Sequence, residues 1–216
     1  MTKFCVFDLD GTLLNTLGNI GGNMNRALED FGIEPFPLEQ YRYFVGNGSR
    51  NLTERALAAR GKLTPEFFEE FYPHFFAIYE AVPDRGVTVY DEIETLLSAL
   101  KERGIRLAVC TNKPNAAAQK SVAGFFDEGT FDDVIGAVDG MALKPAPDGV
   151  LSLLAKHGIS PEEAAFIGDS DVDMLTACAA GVRGFGAAWG FRTAEELEKA
   201  GATALLSHPL ELLEHI

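Results

Sequence analysis

Cysteine is scarce in this chain of 216 residues: Cys5, Cys110 and Cys178 form no CxxC pair, no even framework and no cluster with histidine at zinc-site spacing. A disulfide scaffold and a zinc module are therefore not expected, and a reducing cytoplasm fits best. Basic residues are also in deficit, 18 Lys and Arg against 32 Asp and Glu, for a formal net charge of −14. A field of that sign repels DNA, RNA and anionic lipid at long range, so nucleic-acid and membrane-surface partners are not expected. No apolar run approaches the ~18–20 residues of a membrane helix. The opening MTKFCVFDLDGTLL passes from a short apolar run into acidic residues, so a signal peptide is not expected either. Low-complexity segments and internal repeats are absent.

What is present is the composition of an ordinary globular protein, 47% hydrophobic and 23% charged, at a length suited to one domain or one domain with an insertion. KFCVF at 3–7 is a short β-prone run ending abruptly in Asp8, and reads as a buried strand. From about residue 91 one unit recurs: an amphipathic helix, a glycine, then an apolar run. Glu92–Arg103 places Leu96, Leu97 and Leu100 on one face before Gly104 and IRLAVC. Asp148–His157 places Val150, Leu151 and Leu154 together before Gly158 and AAFI, and Asp171–Ala180 stops at Gly181 before VRGFGA. Glycine just past a helix closes its last turn in the left-handed conformation. Helices alternating with buried strands specify a parallel sheet covered on both faces.

Residues 16–82 break that rhythm. Ile20, Met24, Ala27, Leu28 and Phe31 form one helical stripe, a second helix covers Asn51–Arg60, and a third runs from about Pro65 to Ala81. The aromatic stripe of the third, from Phe67 and Phe68 to Tyr79, reads as core. This segment is expected to be a helical subdomain inserted after the first strand, with hinges near 15–18 and 82–86.

In a parallel α/β sheet, functional groups collect at the carboxyl ends of the strands. Those ends carry Asp8 and Asp10, then Thr111 and Asn112, then Asp169, Asp171 and Asp173. Lys144 lies in the loop ALKPAPD, between the strand-like VIGAV and a helix that the second proline can start. One crevice is thus expected to hold several carboxylates, a hydroxyl and a single lysine. Clustered carboxylates repel unless a cation joins them, and oxygen ligands favour Mg²⁺. Helix capping by Ser170 or Asp171, or a turn ended by Thr12, accounts for one acid per helix but not for two acids facing two or three. A calcium loop at 169–180 fails, because Met174 and Ala180 replace the required glycine and glutamate. A P-loop, GxSxG and HExxH are absent, and GNG at 46–48 is a turn signal of low specificity.

DLDGTLL at 8–14, TNK at 111–113, KPAPD at 144–148 and GDSDVD at 168–173 resemble, in order and spacing, the four motifs of the haloacid dehalogenase superfamily of phosphohydrolases. The resemblance covers the whole chain. It implies a doubly wound, Rossmann-like parallel-sheet core, residues 1–15 and 83–216, with residues 16–82 as an all-helical cap. DGTLLNTLGNI, VGNGSRNLTERAL, CTNKP and FIGDS together are most similar to the phosphoglycolate phosphatase group. Asn15 departs from that group's usual aspartate, at a position with no catalytic role.

The resemblance implies that Asp8 is the nucleophile, forming an aspartyl phosphate, and Asp10 the general acid and base. Asp8, the Asp10 backbone and Asp169 would hold Mg²⁺, with Asp173 orienting its water shell. Thr111 and Asn112, with backbone amides and Lys144, would bind phosphate. The substrate would be a small phosphorylated metabolite, 2-phosphoglycolate first, acted on by a monomer or homodimer. Cap residues would set specificity, with Asn47 and Gly48 exposing amides and Arg50 pairing with a substrate carboxylate. Asp10 and the insertion argue against a phosphoacceptor signalling module, which needs neither. Dehalogenases and phosphonate hydrolases lack an acid at Asp10, and similar sugar-phosphate mutases carry a histidine where Ile20 stands.

Overall fold

A computed structural model describes residues 1–81 and 85–216. Of the two expected hinges, the second, at 82–86, falls partly on residues 82–84, outside the described residues. Phe4–Phe7 (β1) is buried at every position, as an apolar run without alternating polarity requires in the middle of a parallel sheet. Beyond it the chain folds back tightly: Leu13 and Leu14 both donate backbone N–H groups to Leu9 O, and Gly11 N donates to Leu14 O. Leu14–Asn15 (β2) then pairs antiparallel with Thr88–Val89 (β3). The chain divides into two compact units, Met1–Asn15 with Thr88–Ile216, and Thr16–Val87.

The second unit contains α1 (Leu17–Asp30), α2 (Gly48–Ala59) and α3 (Pro65–Ala81), with a 3-10 turn at Leu38–Tyr43. Ile20, Met24, Ala27 and Leu28 of α1 are buried, and so are Phe68, Phe71, Phe75 and Tyr79 of α3. Phe31 meets Phe71 and Phe67 at centroid distances of 5.2 and 5.5 Å. Asn25 ties the connection down, accepting from Phe36 N and Tyr41 Oη and donating to Phe36 O.

The first unit continues with α4 (Ile93–Glu102), β4 (Arg106–Pro114), α5 (Asn115–Phe125), β5 (Asp133–Ala137), α6 (Asp148–His157), β6 (Ala164–Gly168), α7 (Asp171–Ala180), β7 (Arg183–Ala187), α8 (Ala194–Lys199) and β8 (Ala204–Leu206). Its six-stranded sheet is parallel throughout, in the order β5-β4-β1-β6-β7-β8. Taken in order of appearance the strands read 3-2-1-4-5-6, the doubly wound arrangement whose ligand crevice opens where the order reverses, here between β1 and β6. Phe7 sits beside both Val109 and Ile167, so the ends of β1, β4 and β6 lie level.

Phe4, Val6, Ala108, Cys110, Ala164 and Phe166 point to one face, covered by α6 and α7. Alternation along the strands sends Cys5, Phe7, Leu107 and Val109 to the other, also buried. On α6 the buried stripe is Val150, Leu153 and Leu154; Leu151, grouped with them from spacing, is exposed, because the helix presents i, i+3 and i+4 inward. No described helix is long and apolar enough to cross a membrane.

Candidate active site

The carboxyl ends of β1, β4 and β6 bring the site residues of the first unit together. Asp8 comes directly after β1, its N–H donating to Ile167 O at 2.9 Å, and it is only 8% exposed. Its Oδ1 accepts from Leu9 N at 2.7 Å and lies 2.9 Å from Lys144 Nζ. The same ammonium donates to Asp173 Oδ1 at 2.6 Å, so one lysine bridges two carboxylates. Asp173 Oδ2 accepts from Ser170 N and Ser170 Oγ, while Ser170 Oγ accepts from Asp173 N. That capping box starts α7 and aims Asp173 inward. The cap assigned to Ser170 and the acid assigned to the cluster thus meet in one residue pair. Asp171, grouped with the crevice acids by sequence, is exposed instead, 3.6 Å from Arg192 Nε, because neighbouring positions at a helix start diverge.

Asp169 is held at both oxygens, by Thr12 Oγ1 at 3.0 Å and Phe191 N at 2.8 Å. Among the described residues Asp8, Asp169 and Asp173 form a buried cluster offering one carboxylate oxygen each, all within 4.8 Å of one another. Burial pushes the Asp8 carboxyl up to about 7, against the pull of Lys144 and with the repulsion of Asp173. Burial, then Asp173 and Asp8, raise Asp169 well above the ordinary range. For Lys144 burial opposes the charge, but Asp173 and Asp8 outweigh it and hold the ammonium above its usual value.

Three carboxylates against one ammonium leave two negative charges, which a divalent cation would balance. An all-oxygen donor set suits Mg²⁺ more than zinc. The residues present therefore fit the expected ion.

Thr111 and Asn112 lie in the last residues of β4, where the register with β5 shifts between Cys110 and Pro114. Thr111 Oγ1 accepts from Lys113 N at 3.3 Å. Asn112 Nδ2 donates to Lys144 O and its Oδ1 accepts from Lys144 N, at 3.0 and 2.8 Å, so its amide pins the loop that carries the lysine. Asp10 pairs with Lys113 Nζ at 3.0 Å, and the site has two lysines where the strand-end reading expected one. The second is legible in TNK, but its spacing alone assigns it no chemistry.

Two further parts of the site escape the sequence reading, the contact of Thr12 with Asp169 and the WGFR segment at 189–192. The latter stands just past the carboxyl end of β7, where the strand-end rule that locates Asp8, Thr111 and Asp169 would locate it too. Trp189 Nε1 donates to Thr12 O at 3.0 Å, and Gly190 and Gly11 lie so close to Asp169 that a methyl at either would fall on its side chain. Gly11 also has φ +93°, a region that favours glycine. Cys5 and Cys110 are buried, with thiols pushed up to about 12 by burial, which excludes a thiolate nucleophile here.

In the second unit Asn47 and Gly48 open α2. Asn47 Oδ1 accepts from Arg55 Nη2 at 2.6 Å, and Arg55 Nη1 also donates to Tyr43 O and Phe44 O, a clamp that sequence reading did not find. Arg50, 56% exposed at its side chain, lies 3.3 Å from Glu69 and over the rings of Phe68 and Tyr72.

A family model described as haloacid dehalogenase-like hydrolase matches residues 5–187, from β1 through β7. A phosphoglycolate phosphatase of Cereibacter sphaeroides is 40% identical over 180 residues, 82% of this chain and 81% of that protein. One from Rhodospirillum rubrum is 34% identical over 210 residues, 95% of this chain and 87% of its own. Among solved structures, a protein of Haemophilus somnus 129pt described as a predicted phosphoglycolate phosphatase superposes with a TM-score of 0.92 at 28% identity, covering 99% of this chain and 97% of the other.

Proposed function

The chain belongs to the haloacid dehalogenase-like hydrolases, and from that premise we propose that it is a Mg²⁺-dependent phosphatase of a small phosphomonoester, 2-phosphoglycolate first. The observation that carries this reading is the buried Asp8 carboxylate at the switch point, ion-paired to Lys144 within a cluster of three acids. The phosphoglycolate phosphatases among its relatives support the choice of substrate. In this reading residues 1–15 and 83–216 are the catalytic core, 16–82 the cap, and the protein works in the cytoplasm as a monomer or homodimer.

Both hydrogen-bonding partners of Asp8 fall on Oδ1, which leaves the other oxygen to attack phosphorus. As the Asp8 O–P bond forms and the ester P–O bond breaks, Asp10 gives its proton to the departing oxygen. Water then attacks phosphorus, the Asp8 O–P bond breaks, and Asp10 recovers a proton from that water. Inorganic phosphate results, with Asp8 again a carboxylate and Asp10 again protonated. Lys144 neutralises charge during transfer, while Thr111 Oγ1 and the backbone amides of β4's end hold the phosphoryl oxygens. The side chain of Asn112 serves by fixing Lys144, and its contribution to phosphate is its backbone N–H. Asp8, the Asp10 carbonyl and Asp169 would hold Mg²⁺, with Asp173 orienting its water shell, and the bound ion would supply the charge neutralisation that lets carboxylate and phosphate meet.

The test is a panel of small phosphate esters with purified protein and Mg²⁺. The highest kcat/KM is expected for 2-phosphoglycolate, and no turnover of any phosphomonoester overturns the reading. Asn47, Gly48 and Arg50 are assigned to the substrate's carboxylate end. A charge-assisted hydrogen bond is worth about 1.5–3 kcal/mol, so Arg50→Ala should lower kcat/KM for 2-phosphoglycolate roughly 10- to 100-fold. Turnover of 4-nitrophenyl phosphate should change less than about twofold. Equal effects on both esters would leave Arg50 only its packing between α2 and α3.

A further inference from the structure

We propose that Lys113 is the positioning residue for Asp10, holding its carboxylate where it exchanges a proton with the leaving group and with water; this rests on the phosphatase reading above. Lys113 is 5% exposed, and its ammonium reaches both oxygens of Asp10, at 3.0 and 3.3 Å. One ammonium shared between both oxygens is a point charge on the open edge of the carboxylate and keeps that edge turned toward Lys113. The platform beneath it is equally constrained: Lys113 N donates to Thr111 Oγ1, and a methyl at Gly136 of β5 would meet Lys113 O at 2.6 Å. Burying an ammonium carries a desolvation penalty that a bare packing role would not justify. Lys144 already balances charge at Asp8 and Asp173. Lys113 faces the one acid of the site that lies outside the buried three-carboxylate cluster.

The role predicts a dependence on the leaving group. When Asp8 takes the phosphoryl group from an alkyl ester, the alkoxide oxygen must receive the Asp10 proton as its bond to phosphorus breaks. A 4-nitrophenolate leaves as the anion without it. In Lys113→Met the first-turnover rate on 2-phosphoglycolate should fall about 100-fold, the lower end of what general acid catalysis supplies, with KM within twofold. The first turnover of 4-nitrophenyl phosphate should change less than threefold. A burst of nitrophenol should then precede slow hydrolysis, because Asp10 is also the base for water. Lys113→Arg, which keeps the charge, should recover part of the loss. In an Asp10→Asn background Lys113→Met should add less than twofold, since a residue acting only through Asp10 has nothing left to position.

Multiplicative effects in that double variant, or equal losses on both esters in Lys113→Met, overturn the proposal while leaving the phosphatase reading intact. If Asp10→Asn itself fails to discriminate between the esters, the acid–base assignment falls and the proposal with it. Thermal unfolding checks that each variant is folded; should Lys113→Met not fold, Lys113→Arg is put through the same ester comparison and the same Asp10→Asn background. Loss on the alkyl ester alone, absent in that background, supports the proposal, and any other pattern overturns it.

Discussion

Asp8→Asn should abolish turnover, by roughly 10⁴-fold or more, the scale on which removing a nucleophile acts, while the protein still folds. The amide cannot form an acyl phosphate, and no nearby thiol can substitute, because burial keeps Cys110 protonated. Full activity in a preparation shown free of deamidation contradicts the aspartyl-phosphate mechanism. The same variant should gain stability in metal-free buffer. The folded-state pKa of Asp8 is raised from 3.8 to about 7, chiefly by burial, so between those values the folded chain binds a proton that the unfolded chain has released. Stability of the wild type therefore falls as pH rises through that window, and the penalty is complete above about 7. Asparagine carries no charge to desolvate and flattens the decline. The Tm difference between variant and wild type in chelator should be near zero below about pH 4, grow up to about pH 7 and stay level above it. Each 1 kcal/mol corresponds to about 2–4 °C for a chain this size. Parallel Tm–pH curves would show that the Asp8 charge is compensated in the folded chain.

Removing divalent metal should eliminate activity, and Mg²⁺ should restore it. Ca²⁺ should inhibit, because the larger ion accepts more oxygen ligands and draws both oxygens of Asp8 into its shell, leaving none for attack. Unchanged rates after exhaustive metal removal contradict the assignment. A second readout needs no substrate. An ion binding only the folded state at about 100 times its Kd stabilises by about 2.7 kcal/mol, a Tm rise of roughly 5–10 °C. Asp169→Asn should lose most of that rise, because Thr12 and the Phe191 amide fix this carboxylate in the cluster and its loss removes one of the three anionic donors.

Which elements are legible in the sequence depends on which forces are local. The helices at Asp148–His157 and Asp171–Ala180 match their sequence boundaries, because a glycine in the left-handed conformation ends each one, at Gly158 and Gly181. α3 is also found where its aromatic stripe put it. α2 begins three residues earlier than expected, at Gly48, because the helix starts directly from the GNG turn with Asn47 as its cap residue. α5, α8 and β8 have no clear stripe of their own and escape a reading by periodicity. α5 in particular, NAAAQKSVAGF, has few large apolar side chains to betray a face.

Which residues stand at the ends of buried strands is legible locally, since an apolar run that stops at a polar residue needs no distant partner to be seen. Asp8, Thr111 and Asp169 were legible on that ground. The alternation of helix and strand, and with it a parallel sheet, is legible in the same way. The partners of those residues come from the packing of the whole sheet. Only the 3-2-1-4-5-6 order sets Asp8 beside Asp169 and brings Asp173, at the start of α7, to Lys144, whose backbone takes up the side chain of Asn112. Lys113 reaches Asp10 across 103 positions, and Phe191 reaches Asp169 across 22. Hydrogen bonds and ion pairs act over about 3 Å of space whatever the distance along the chain, so no local pattern records them.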